Sequence, residues 1–154
     1  MIEIILSAVL ISVPLVPPQV KDDQSLSDYM RAEFIYQNED GDYWKTPEET
    51  LKDKGGDCED FALYAEKVLT SLGYEAKAIC IKGYIGSEKF VHAICIVKVE
   101  GGYRYFSNQY YSYFKTFSSI TEIVEFECKD WKWYCENSLP HNFKNFVHHV
   151  VSGS

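Results

Sequence analysis

Apolar residues along this chain follow two periods, and the change between them divides it. From Phe61 through Ala62, Ala65, Val68, Leu69 and Leu72 they recur at helical spacing, and Gly73 ends the run as a C′ residue. Beyond Gly73 the period becomes two. Segments 75–82 and 90–99 alternate as strands, and Glu100-Gly101-Gly102 turns the chain into a third strand at 103–106. Connections this short predict an antiparallel meander. Upstream, Ser25 as N-cap and Asp28 at N3 open a helix expected to reach Gln37. A shorter helix is expected over 47–53, because Thr46-Pro47-Glu48-Glu49 supplies an N-cap, an N1 proline and a capping-box glutamate. Segment 113–135 reads as further strand or helix, and 136–154 shows no readable pattern.

The junction between Gly55-Gly56, read as a flexible turn, and the helix after it holds the most informative residue. Cys58 falls in the first helical turn, where unpaired N–H groups and the helix dipole favour an anion such as a thiolate. Such a nucleophile needs a base, and His92 is the one of four histidines embedded in regular structure. On its strand His92 shares a face with Ile94, Ile96 and Lys98; Val91, Ala93, Cys95, Val97 and Val99 form the other. A helix packed across the meander is expected to bring His92 to Cys58. The third strand ends at Ser107-Asn108-Gln109, and Asn108 can accept from an imidazole N–H, which would orient the ring. Asp57, Glu59 and Asp60 crowd the cysteine. They suit a helix N-terminus but oppose a thiolate.

The string Trp44-Lys45-Thr46-Pro47-Glu48-Glu49-Thr50-Leu51, followed by Gly56-Asp57-Cys58-Glu59-Asp60, resembles the nucleophile region of the transglutaminase-like cysteine peptidase superfamily. Within it the residues look most like the bacterial transglutaminase-like cysteine peptidases, periplasmic proteases that clip surface adhesins. The resemblance runs over roughly residues 28 to 110. It implies an α+β, papain-like core with a nucleophile helix packed on an antiparallel β-sheet. It also implies acyl transfer from a protein or peptide substrate through a thioester on Cys58, with His92 as base.

One position departs from the family. Where its pattern has an aspartate after the histidine strand, this chain reads Phe106-Ser107-Asn108. Neighbouring strand residues point to opposite faces, so register decides which of the two faces His92. Asn108 is preferred as the third residue, with Ser107 the alternative. Two other functions stay open: a protein-crosslinking transglutaminase, and a peptide-binding or scaffold domain that has lost its chemistry. No cofactor is required by this reading. Some adhesin-cleaving relatives bind calcium through acids flanking the nucleophile, and Asp57 and Asp60 match those positions. Trp44 reads as a cleft wall or a donor near the oxyanion, against a plainer role in core packing. Tyr110, Tyr111 and Tyr113 read as a peptide groove or as the rim of a core.

Composition narrows the partners. A net charge of −8 argues against nucleic acid or an anionic membrane as a main partner. Residues 1–20 form an apolar segment, read as a signal or anchor or as a buried strand, ahead of a single domain at 21–154. Its apolar run, residues 1–16, is shorter than the roughly 20 apolar residues of a membrane span and lacks a basic n-region. A signal or anchor would put the domain outside the cytoplasm, with an envelope location preferred over the cytosol. The five cysteines contain no C-x-x-C pair. In an exported chain Cys80 with Cys95, and Cys128 with Cys135, would be candidate disulfides; otherwise they are buried thiols. Asn38, Asp40, Asp42 and Glu49 mimic a calcium loop, but Tyr43 stands where that loop needs glycine, which excludes an EF-hand. His148 and His149 read as a solvated tail.

Overall fold

The computed structural model describes residues 13–38 and 43–135. The apolar start up to residue 12, most of the turn at 38–42, and 136–154 with His148 and His149 lie outside the described residues. Helix α1 (Asp23–Glu33) is capped by Asp22 and not by Ser25. The Ser25 N–H donates to Asp22 Oδ1 at 2.8 Å and the Asp22 N–H donates to Ser25 Oγ at 3.0 Å, so Ser25 is the N3 partner of a capping box. The helix stops short of Gln37. Phe34 turns extended into the core, and Ile35–Tyr36 (β1) pairs in parallel with Gly55–Gly56 (β2).

Helix α2 (Pro47–Asp53) starts as its capping box predicts, with the Thr46 N–H donating to Glu49 Oε2 at 2.7 Å and the Glu49 N–H to Thr46 Oγ1 at 3.2 Å. The left-handed residue that follows is Lys54, at φ 52°. The two glycines are therefore a strand and serve close approach instead of flexibility. A Cβ on Gly55 would lie 2.6 Å from the Ile35 carbonyl oxygen, and one on Gly56 would lie 2.4 Å from Asp60 Oδ2. Helix α3 (Cys58–Ser71) follows at once and ends before Gly73, at φ 90° as expected of C′.

The meander is strands β3 (Ala76–Ile85), β4 (Glu88–Val99) and β5 (Gly102–Ser107). Pairing of Ile85 with Glu88 carries β3 and β4 past the expected loop at 83–89. Strand β6 (Tyr110–Tyr111), helix α4 (Ile120–Glu127) and strand β7 (Asp130–Cys135) resolve the region that sequence left open, and the sheet order is β6-β5-β4-β3-β7, antiparallel throughout. The architecture is α+β.

Both faces of the sheet are covered. Phe61, Ala65, Val68 and Leu69 of α3 pack with Ala78, Ala93, Cys95, Val97 and Phe106 on one side. Ile123 and Val124 of α4 pack with Ile79, Ile81, Ile94 and Ile96 on the other. Each large apolar side chain so buried contributes about 1.5–3 kcal/mol. Cys80 stands opposite Ala93 and Cys95 opposite Ala78 in the ladder. None of Cys58, Cys80, Cys95 and Cys128 is disulfide-bonded in this structure, so neither pair considered for an exported chain is joined here. Among the described residues no helix is long and apolar enough to cross a membrane.

Gly56→Ala should destabilise the protein by about 1–3 kcal/mol, the usual range for overpacking, because its Cβ meets the buried Asp60 carboxylate. Urea unfolding measures this directly, and an unchanged midpoint would mean that β2 relaxes away from α3.

Candidate active site

The first turn of α3 is built around Asp60, which is completely buried. Its Oδ1 accepts the Lys45 N–H at 2.7 Å and its Oδ2 accepts the Asp57 N–H at 3.2 Å. One carboxylate thus ties the segment ahead of α2 to the N-cap of α3. Lys45 is itself buried, and its Nζ donates to the Gly55 carbonyl at 3.2 Å. Trp44, half-buried, is the neighbour of this tether. Cys58, the first residue of α3, is held in the turn that Asp60 fixes.

Cys58 meets the sheet where β5 runs out. Ser107 is the last residue of β5 and pairs with Ile94, so β4 from Ala93 back towards Glu88 has no partner from β5. At this gap the Ala93 backbone N–H faces the sulfur. The helix does not cover the face that carries His92, as the sequence reading expected. α3 packs on the Ala93 and Cys95 face, and alternation puts His92 on the opposite one with Ile94 and Ile96. Ala93, whose N–H acts on the sulfur, is the chain neighbour of His92, so thiol and imidazole belong to the same stretch of β4 but to opposite faces of the sheet.

His92 Nε2 lies 2.9 Å from Ser107 Oγ. It also lies 3.9 Å from Glu127 Oε2, with the two side chains 15% and 16% exposed. The hydroxyl that meets the ring belongs to Ser107, the alternative third residue. Asn108 enters the turn to β6 at φ 53°, and its Oδ1 is buried without a hydrogen-bond partner. With Nε2 turned to these oxygens, Nδ1 is the ring nitrogen left for a thiol. No local signal points to Glu127, which sits at the end of a helix in a region whose sequence pattern was ambiguous.

The resting electrostatics favour neutral partners. The Cys58 S–H donates to Glu59 Oε2 at 3.1 Å. Burial pushes this thiol up to about 12; the Ala93 N–H pulls it down, and Glu59 and Asp57 add to the rise. Burial also lowers His92 below its ordinary 6.5, against the pull of Glu127 and Glu59. Asp57 is pushed up to about 7, first by burial and then by Glu59 and Asp60. Of Tyr110, Tyr111 and Tyr113, Tyr111 is buried against Phe106 and donates its hydroxyl to Asp23, while Tyr110 and Tyr113 are exposed.

As placed, Asp57 and Asp60 do not form a calcium cage. Both Asp60 oxygens accept backbone N–H groups, and Asp57 Oδ1 is the buried acceptor left without a partner. Among the described residues no group of three or more His, Cys, Asp or Glu side chains is arranged to hold a metal. Calcium takes six to eight oxygens.

Asp57 supplies a pH test. Its folded-state value near 7 lies above the ~3.9 of an unfolded aspartate, so the folded protein keeps a proton that the unfolded chain has lost between those values. Stability should fall as pH rises through that window. Asp57→Asn keeps the N-cap and removes the charge. Its melting temperature should exceed wild type at pH 8 and converge with it at pH 4; a gap equal at both pH values would contradict the assignment.

Among solved structures, the chain aligns with a candidate cysteine protease from Cytophaga hutchinsonii at TM-score 0.48 and 16% identity, over 56% of this chain and 30% of that one. It aligns with EGTA-treated LapG of Legionella pneumophila at TM-score 0.46 and 22% identity, over 57% and 52% of the two chains. For calcium-bound LapG the values are 0.44, 22%, 56% and 54%. The chain therefore spans less than two thirds of each neighbour. No curated protein matches it by sequence. The model of the transglutaminase-like domain family matches residues 19–133, more than half of the chain, and the chain belongs to that family.

Proposed function

We propose that the chain performs acyl transfer on a protein or peptide substrate through a thioester on Cys58, with His92 as base. The observation that supports this reading is a first-turn cysteine on which the Ala93 N–H acts, Ala93 being the chain neighbour of a histidine whose Nε2 lies 2.9 Å from Ser107 Oγ. A neutral His92 can take the Sγ proton on Nδ1 while the sulfur bonds to the carbonyl carbon. The same proton then passes to the leaving amine as the C–N bond breaks. The Cys58 N–H, lacking a helical acceptor in the first turn, would face the oxyanion. Water as second acceptor gives hydrolysis, as in a cysteine peptidase; a lysine amine gives crosslinking. Peptidase chemistry is our preferred form. LapG is a calcium-bound protein in one of its structures. For this chain calcium is a ligand to be tested at Asp57, and no step above depends on it.

A second reading has its own observation. The thiol donates a hydrogen bond to Glu59 and, pushed up to about 12, keeps its proton, which suits a peptide-binding domain that no longer activates its cysteine.

Iodoacetamide labelling of Cys58 at pH 7 separates the two. In the enzyme reading His92→Ala slows labelling on the order of a hundredfold, at the low end of general-base effects. Slow labelling that is indifferent to His92 and titrates as an isolated high-pKa thiol would leave the binding domain as the better account.

A further inference from the structure

We propose that Glu127 is an anionic positioning residue for His92, delivering from helix α4 the charge that Ser107 cannot supply from strand β5. The inference rests on the acyl-transfer reading and adds to it a residue outside the strands and helix that carry the rest of the site. Two oxygens face His92 Nε2: Ser107 Oγ at 2.9 Å and Glu127 Oε2 at 3.9 Å. The serine can fix the ring by a hydrogen bond, but it is neutral. Imidazolium, formed when the Sγ proton arrives, requires an anion nearby, and Glu127 is at ion-pair distance.

The carboxylate is held for this position. Its Oε1 accepts the Tyr105 hydroxyl, and Tyr105 lies two residues before Ser107 on the same face of β5. Ile123 and Val124 anchor α4 on that face, which sets the last turn of the helix over His92. Nothing local recommends a glutamate there. It is the last residue of α4, at the negative end of the helix dipole, and its side chain is only 16% exposed. From the other elements, Glu59 of α3 is the remaining carboxylate whose charge acts on His92, and Phe90 of the same strand stands edge-on at 6.0 Å.

The test is the titration of His92 by NMR, through its ring carbon and nitrogen shifts, in wild type and in Glu127→Gln. The glutamine keeps the shape and removes the charge. The His92 midpoint should fall by about one unit, the low end for loss of an opposite charge at this range, which is a tenfold loss of basicity. Glu127→Asp should restore part of the shift. Tyr105→Phe, which frees the carboxylate without neutralising it, should give a smaller fall and keeps the test open if Glu127→Gln does not fold. A folded Glu127→Gln with an unmoved His92 midpoint would overturn the proposal. The midpoint reads the pair whether or not Cys58 reacts, so an inert Cys58 beside a shifted His92 would fault the acyl-transfer reading alone.

Discussion

Two backbone N–H groups from separate parts of the chain, those of Lys45 and Asp57, converge on the carboxylate of Asp60 where water does not reach. Leaving such buried groups unpaired costs about 1–3 kcal/mol each. The chain therefore keeps the start of α2 and the start of α3 in one fixed relation. The same carboxylate needs the space that a side chain on Gly56 would fill, which turns a residue choice in β2 into a condition on α3. Cys58 inherits its place from this arrangement. The position of the sulfur follows from packing around a carboxylate bound by two backbone N–H groups.

The acids that build the turn also burden the thiol. A helix N-terminus stabilises an anion by about 0.3–1 kcal/mol. One pKa unit corresponds to about 1.4 kcal/mol, so a thiol pushed up to about 12 shows burial and the flanking carboxylates outweighing the dipole. The first turn of α3 is thus well placed for a nucleophile and poorly charged for a resting thiolate. Any reaction at Cys58 has to move its proton at the moment of attack. That requirement shifts attention from the helix to the far side of His92, where Ser107 and Glu127 lie.

This division of labour between sheet faces explains the shape of the site. α3 and α4 bury opposite faces, and a histidine on β4 must belong to one of them. His92 belongs to the α4 face, and because β5 ends at the residue opposite Ile94, its neighbour Ala93 is left without a β5 partner where its N–H acts on the Cys58 sulfur. An additional residue of pairing would fill the gap in which the Ala93 N–H meets the sulfur. The length of β5 sets this gap.

The sequence by itself determined what short-range chemistry determines. The apolar stripe of α3, its stop at Gly73, the Thr46 to Glu49 capping box, the meander, and the place of Cys58 in a first helical turn all depend on residues within a few positions of one another. The family resemblance rested on that same local string around Trp44 and Cys58. The tertiary structure decided the rest. That Gly55 and Gly56 form a strand depends on β1 lying against them. That Ser107 and not Asn108 bonds to His92 depends on the register of Ile94 against Ser107, which belongs to two strands jointly. Glu127 reaches the imidazole only because the apolar face of α4 settles on Ile94 and Ile96, and no spacing within one segment encodes a contact made by packing two elements on opposite sides of a ring.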